Sequence, residues 1–473
     1  MKYDLVIYNA KIVTEEEVFL GYICVSDGKI AAMGSDAPVY EAAQSLDAKG
    51  MLLLPGAIDT HPHFFEPGAE AREDLEHGTQ AAASGGFTTI LDMPNTPEHP
   101  VLDLEAFALK QERAERKALI DYAFWGAATP KNIEQFVPLH KQGCVGFKAF
   151  TVYAGSNYPF SDEYSQLKEM EKVASFHGIF GAHAEDRTLV NGFSNEHKEE
   201  PWSLAVHDAS RPWIAELTAI NTLLLYAEKT GCKLHICHMS IPEGAERIAS
   251  ARRMGVDVTV ETCAHYLTLN YQDQAYLGTF AMINPPLRSR DRMERLWKYV
   301  LDGTIDYLGT DHAPYLLSDK LPPDGDLRKA ACGAPEIDVA IPLILEEGVR
   351  NRKMPLQRFA AFTSTNAAKR FGLYPRKGIL AVGADADFYL VDMDTNWTYS
   401  RKNSFSASKL DKFAHEGRTF HCRIVSTWVR GNAVYRDGVI KQKPGYGRMI
   451  RPNRFTSIFF SKGWVTLKKP FRL

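Results

Sequence analysis

Six side chains suited to binding or activating a metal are spread along the 473-residue chain: His61, His63, Lys148, His183, His238 and Asp311. His61 and His63 flank Pro62, and in extended backbone an i, i+2 pair presents both imidazoles on one face. A lone histidine near a strand end is usually a hydrogen-bonded core residue, so the meaning lies in the set. Imidazole and carboxylate donors hold the divalent ions that polarise a carbonyl and lower the pKa of bound water from about 16 towards 7. Lys148 is the odd member, because an ammonium group repels a cation and is costly to bury unpaired. It must shed its charge or be modified. Carbamylation by carbon dioxide would turn it into an anion whose two oxygens bridge two metals, leaving a positive surplus suited to an oxyanion formed during attack.

The elements that would position these groups are legible around them. Short apolar runs at 57–61, 88–92, 121–125, 145–150, 179–183, 234–238, 257–261 and 307–311 alternate with helical stretches, among them 104–117, 166–177, 214–230 and 242–254. Eight strands alternating with helices outline a (β/α)8 barrel, in which active sites are built at the C-terminal ends of the strands. All six groups would then meet at one mouth. Both chain ends read differently, as short alternating strands at 4–13, 27–34, 386–392 and 424–431. Neither end offers a closed core alone, so the two are expected to form one small β-sandwich. The fold class is therefore α/β, a TIM-type barrel with a β-sandwich. The divisions are 1–54 (first part of the sandwich), 55–375 (barrel), 376–440 (second part) and 441–473 (C-terminal tail).

Composition narrows the partners. Lys+Arg 55 against Asp+Glu 58 leaves a formal charge of −3, which supplies no basic field for nucleic acid. No stretch of about 18 apolar residues suggests a membrane span. The seven cysteines are scattered, odd in number and free of C-x-x-C pairs, which reads as reduced thiols in a cytoplasmic chain. After Asp437 there is no acidic residue, while Lys441, Arg448, Arg454, Lys462, Lys468 and Arg472 gather beside Tyr446, Phe459, Trp464 and Phe471. Such a tail is expected to pack on its own body or in the contacts of a homo-oligomer, a dimer or tetramer.

The motifs His61-Pro-His63-Phe-Phe-Glu66-Pro67-Gly68, Asp92-Met-Pro94-Asn95, Gly146-Phe-Lys148, His183-Ala-Glu185, Glu261-Thr-Cys-Ala-His265, Asn284-Pro-Pro-Leu-Arg288 and Gly309-Thr-Asp311-His-Ala-Pro314 resemble the cyclic amidohydrolases. This is the hydantoinase, dihydropyrimidinase, allantoinase and dihydroorotase branch of the amidohydrolase superfamily. The resemblance runs from the first barrel strand to about residue 440 and implies hydrolytic opening of a small-molecule cyclic amide at a binuclear metal centre. His61 and His63 would bind the more buried ion with Asp311, His183 and His238 the more exposed one, and N6-carboxylated Lys148 would bridge. Zinc is the expected metal, with manganese, iron, cobalt and nickel as alternatives. Asp311 would take the proton of the attacking water and pass it to the leaving nitrogen.

For the substrate, the resemblance points two ways. Phe65 stands where dihydroorotases carry an Arg for the substrate carboxylate and allantoinases usually an Asn, which demotes dihydroorotase. Arg288 is then the substitute clamp to consider, although its motif usually makes it structural. Tyr153, five residues after Lys148, matches a hydantoinase tyrosine that donates to the oxyanion. Asn284 matches a position whose backbone contacts a cyclic ureide, Cys332 stands near the second such position, and Asn95 joins the expected contacts. Phe64, Phe65 and Tyr158 would form an aromatic pocket, whereas His265, His312 and Glu185 read as supporting residues. The alternatives are a dihydroorotase-like enzyme, an amidohydrolase of linear amides, and a dihydropyrimidinase-like scaffold protein without activity.

Overall fold

The computed structural model describes residues 2–35, 41–155, 157–410 and 412–453. Eight barrel strands follow one another: Ala57–Asp59, Phe87–Asp92, Asp121–Phe124 (continued by Gly126–Ala127), Phe147–Phe150, Ile179–His183, Lys233–Ile236, Val258–Thr262 and Tyr307–Leu308. Neighbours pair in parallel throughout. A parallel bridge between Pro62 and His312 joins the first strand to the last, and the His63 amide donates to the His312 carbonyl at 2.8 Å. The closed wall puts the strand ends expected to carry the six groups at one rim.

Helix formation follows from capping and periodicity. Leu104–Lys117 begins at Asp103, whose carboxylate accepts from the Ala106 amide, and ends with Arg116 and Lys117 in its last turn, favourable to the helix dipole. It buries Phe107, Lys110 and Ala114, spaced at i, i+3 and i+7. Lys110 reaches the barrel, with its ammonium 2.6 Å from Asp92 Oδ2 and 2.8 Å from the Met93 carbonyl.

The chain ends share one nine-stranded sheet. Its order is Val439–Ile440, Asn432–Arg436, Arg423–Val429, Phe388–Asp392, Leu52–Pro55, Tyr3–Val13, Val18–Ser26 and Lys29–Gly34, with Ala42–Asp47 also paired to Tyr3–Val13. Ile7, Ile12, Val25, Leu53, Phe388 and Trp428 fill its core. The joint to the barrel is ionic and buried. Lys377 Nζ lies 2.5 Å from Asp121 Oδ2 and Asp387 Oδ2 and 3.0 Å from Asp385 Oδ2, while Arg430 takes the other oxygen of Asp121. These three carboxylates have the spacing of a cation site, and the Lys377 ammonium satisfies them.

The first part of the tail lies along the third barrel strand. Arg448 O accepts from the Tyr122 amide at 3.0 Å, Ile450 N donates to Tyr122 O at 2.7 Å, and Ile450 is fully buried. The tail positions from Arg454 onward, including Lys462, Trp464 and Lys468, lie outside the described residues. No helix among the described residues is long and apolar enough to cross a membrane, and no disulfide joins any of the seven cysteines among the described residues.

Candidate metal centre

The six groups meet at one end of the barrel and are all buried. His63 Nε2 stands 3.1 Å from Asp311 Oδ1, and His61 Nε2 stands 3.7 Å from the same oxygen and 3.5 Å from Lys148 Nζ. His183 Nδ1 and His238 Nε2 converge at 3.2 Å, and the rings of His61 and His238 lie 4.9 Å apart. There are therefore two adjacent donor groups with Lys148 between the strands that bear them. His61, His63 and Asp311 offer one ligand atom each within reach of a single ion.

Carboxylates behind the imidazoles decide which nitrogen faces inward. Glu261 binds His61 Nδ1, so Nε2 is the atom presented to Asp311 and Lys148. Glu261 also accepts from the Thr60 hydroxyl and stands 3.3 Å from His235 Nε2, whose ring meets the Tyr307 hydroxyl at 3.0 Å. Gly309 makes room for this, because a Cβ there would lie 2.7 Å from Glu261 Oε2. Glu185 holds His183 Nε2 at 2.6 Å, leaving Nδ1 to the centre, and is itself gripped by both arms of Arg211, at 3.0 and 2.5 Å. Asp59 receives the Thr310 amide at 3.0 Å and its hydroxyl at 2.5 Å, which fixes the residue next to Asp311. His238 and Asp311 adopt φ of +34° and +46°, a region uncommon for non-glycine residues, as the chain turns out of the strands into the mouth.

Charge states suit cation binding. Burial draws His63 down to about 4 and holds His183 and His238 below the ordinary histidine value, so all three are neutral bases with a free lone pair at pH 7. Burial and Lys148 depress His61 too, but the Glu261 carboxylate and the Cys237 sulfur together outweigh them and lift it to about 9. Burial opposes ionisation of Asp311, yet the hydrogen bond from His63 and the charge of His61 bring it below the usual carboxylate range. Lys148 is completely enclosed, and among the described residues no carboxylate lies within 4.0 Å of its ammonium. The donor set thus fits two divalent cations. The feature that does not fit an unmodified chain is Lys148.

The expected substrate residues are placed less uniformly. Phe65 stacks near His63 at 6.3 Å and meets the Tyr315 ring at 5.3 Å, with the Arg72 guanidinium over both rings. Asn95 and Asn284 each keep a buried side-chain oxygen with no partner among the described residues. Cys332 is half-buried near Asn284. Tyr153 is 68% exposed, so its hydroxyl is at the surface in this conformation. Tyr158 is the buried tyrosine here, and its hydroxyl donates to the Lys148 carbonyl at 2.5 Å.

One expectation needs correction, and one alternative falls away in favour of the structural role that its motif implies. Phe64 does not line the mouth: it packs outward against Gly78 of helix Leu75–Ser84, where a Cβ would lie 2.5 Å from its ring. It has the opposite strand parity to His61 and His63. Arg288 is not a spare clamp. It is bonded to Ser240, Asp208, the Arg211 carbonyl and Glu216, so it has no free face for a substrate carboxylate. His312 is likewise used on both nitrogens, by Glu73 on one side and the Glu336 and Ile337 amides on the other.

Sequence reading missed the pairing of Glu261 with His61 and the inward placement of His235 and Cys237. Parity held the signal: in Leu234-His235-Ile236-Cys237 the apolar and polar residues alternate, which turns His235 and Cys237 into the barrel.

Comparison with known proteins agrees with this geometry. The profile of the amidohydrolase family matches residues 52–434. An allantoinase of Rubrobacter xylanophilus is 36% identical over 436 residues, covering 91% of this chain and 94% of that protein. An allantoinase of Deinococcus radiodurans is 36% identical over 460 residues, covering 96% and 99%. Among solved structures, an L-hydantoinase (dihydropyrimidinase) from Arthrobacter aurescens superposes with a TM-score of 0.92 at 31% identity, over 95% of this chain and 100% of that one. A dihydropyrimidinase from Brevibacillus agri gives 0.87 at 30%, over 94% and 98%. The chain belongs to the amidohydrolase family. Within it, the chain is a cyclic amidohydrolase, a hydrolase of cyclic amide C–N bonds, with the barrel and β-sandwich of its structural neighbours.

Proposed function

We propose that the protein opens a cyclic ureide ring by hydrolysis, with a hydantoin, dihydropyrimidine or allantoin as substrate. The observation that carries this reading is the convergence of His61, His63, His183, His238 and Asp311 around a buried lysine with no carboxylate within 4.0 Å among the described residues. Carboxylation of Lys148 on N6 would remove the unpaired charge and supply the bridging anion. Two divalent cations, zinc by preference and otherwise manganese, iron, cobalt or nickel, would polarise the ring carbonyl and make water nucleophilic near neutral pH.

The chain's own groups do the rest. Asp311, ionised and next to His63, takes the proton of the attacking water and delivers it to the leaving ring nitrogen, acting as base and then acid. Asn95 and Asn284 offer buried amide oxygens, without a hydrogen-bond partner among the described residues, to ring N–H groups. Phe65 and Tyr315 present an aromatic wall to the ring substituent. Tyr153 would donate to the oxyanion, which requires the segment after the fourth strand to bring its hydroxyl inward from the surface. With Arg288 consumed and Phe65 in place of a cation, a substrate carboxylate has no obvious bidentate partner at either position, which favours an uncharged ureide over dihydroorotate. The scaffold alternative is disfavoured because all six expected ligand positions are filled by residues of the right chemistry. A homo-oligomer, a dimer or tetramer, is part of the same proposal, although the described start of the tail packs on its own barrel.

The test is a ring-opening screen of purified protein over hydantoins, dihydrouracil, allantoin, dihydroorotate and cyclic imides. Turnover of at least one uncharged ureide supports the proposal. Turnover of linear amides alone would overturn it.

A further inference from the structure

Lys320 closes the short helix Leu317–Lys320, which follows the last barrel strand, and its side chain is completely buried. Its ammonium donates to three backbone carbonyls: Gly333 at 2.6 Å, Ala331 at 2.7 Å and Met282 at 3.2 Å. Among the described residues it has no carboxylate within 4.0 Å; three backbone dipoles meet its charge, the Tyr315 ring lies 5.5 Å away, and Cys332 and Asp319 favour the charged form from further off. The carbonyls belong to two loops. One, after the seventh strand, carries Asn284; the other, after the eighth, carries Cys332. The loops also bond each other directly, since the Gly333 amide donates to Met282 O at 2.9 Å. The adjacent Asp319 works in the same sense on a third loop: it takes the Arg72 guanidinium at 3.0 and 2.8 Å, and Arg72 lies over Phe65.

We infer that Lys320 is a positioning residue for ring recognition, locking the Met282–Asn284 and Ala331–Gly333 backbones in the spacing that receives the ureide. This rests on the proposed reading of the mouth. An ammonium has three protons and here meets three acceptors, one each. A neutral amine retains two, so one of the three carbonyls loses its hydrogen bond to Lys320 when the ammonium deprotonates. Burial brings that event down to about 8. The other ionisable groups facing it are the Cys332 thiol, which burial pushes up, Asp319, paired with Arg72, and the Tyr315 phenol, which burial also pushes up.

The experiment compares wild type with Lys320→Met on allantoin or hydantoin, whichever wild type turns over, together with metal content per chain. The expected result is a KM raised about tenfold or more with kcat changed less than about threefold and metal content unchanged. In wild type, KM should rise above pH 8, and Lys320→Met should lack that rise. The wild-type profile needs no variant and stands even if Lys320→Met fails to fold. A flat wild-type KM between pH 7 and 9.5, or a folded Lys320→Met with unaltered KM, would overturn the inference. Failure of the functional reading looks different, because wild type would then open none of the ureides.

Discussion

Glu261, on the seventh barrel strand, binds Nδ1 of His61, 200 residues earlier in the chain. That contact fixes the tautomer in which Nε2 faces Asp311, and it makes His61 a stronger donor. Glu261→Gln keeps the shape and loses the charge. We expect metal affinity at the His61 site to fall about 10- to 100-fold, as is typical when such a partner is lost. Competition with a chelator of known affinity checks this, and unchanged retention would show that the carboxylate has no influence on the ligand.

The pairing of Glu185 with Arg211 predicts a parallel effect at the other donor group. Arg211→Met leaves Glu185 buried against His183 without its cation. Burial alone opposes ionisation of Glu185, and Arg211 is the largest influence holding it well below the usual carboxylate range. The variant should therefore lose activity towards low pH at a higher pH than wild type does. Matching acid limbs in the two pH–rate profiles would contradict this.

Glu336 links His265 at 2.8 Å and His415 at 3.3 Å, and it predicts an acid-sensitive component of stability. Burial works against its ionisation, but the two histidines outweigh it and lower it from 4.5 to about 2. The folded value lies below the unfolded one, so the stabilisation is complete above about pH 4.5 and disappears as the pH falls towards 2. Its size is at most about 3 kcal/mol. Glu336→Gln should flatten the melting temperature against pH in that window, and an unchanged slope would refute the assignment.

Lys377 sits among Asp121, Asp385 and Asp387 where the barrel meets the sandwich. Lys377→Met strands these carboxylates, and breaking a buried pair in this way costs about 3–5 kcal/mol. The melting temperature should drop while KM for the best ureide stays the same. A shift in KM without loss of stability would mean the cluster acts on the mouth and not on the joint.

Dihydroorotate should be opened at less than about one hundredth the rate of the best uncharged ureide, since a lost bidentate partner is worth a few kcal/mol. Comparable rates for the two would show that another cation serves the carboxylate.

The regular parts of this fold were written locally. Helix Leu104–Lys117 and strand Ile179–His183 have the bounds that capping, periodicity and apolar runs predict. The first and last barrel strands are shorter than expected, ending at Asp59 and Leu308, because the chain leaves the ladder before His61 and Asp311 and turns them into the mouth. The donors themselves were legible because each follows an apolar run. Their supports were not: Glu261 reaches His61, and Lys377 reaches Asp121, only through closure of the barrel and its joint with the sandwich. Pocket walls follow no period either. Phe65 and Arg72 come from the loop after the first strand and Tyr315 from the loop after the last, and they meet only in space.

The most direct measurement of the central claim is metal per chain, by elemental analysis, for wild type and Lys148→Ala alongside turnover. The account predicts two equivalents in wild type, loss of activity on exhaustive chelation with recovery on adding metal, and at most one equivalent with little turnover in the variant. Recovery of the variant by a short carboxylic acid would be expected as well. Metal-free wild type, or Lys148→Ala, working at the full rate without additives would contradict it.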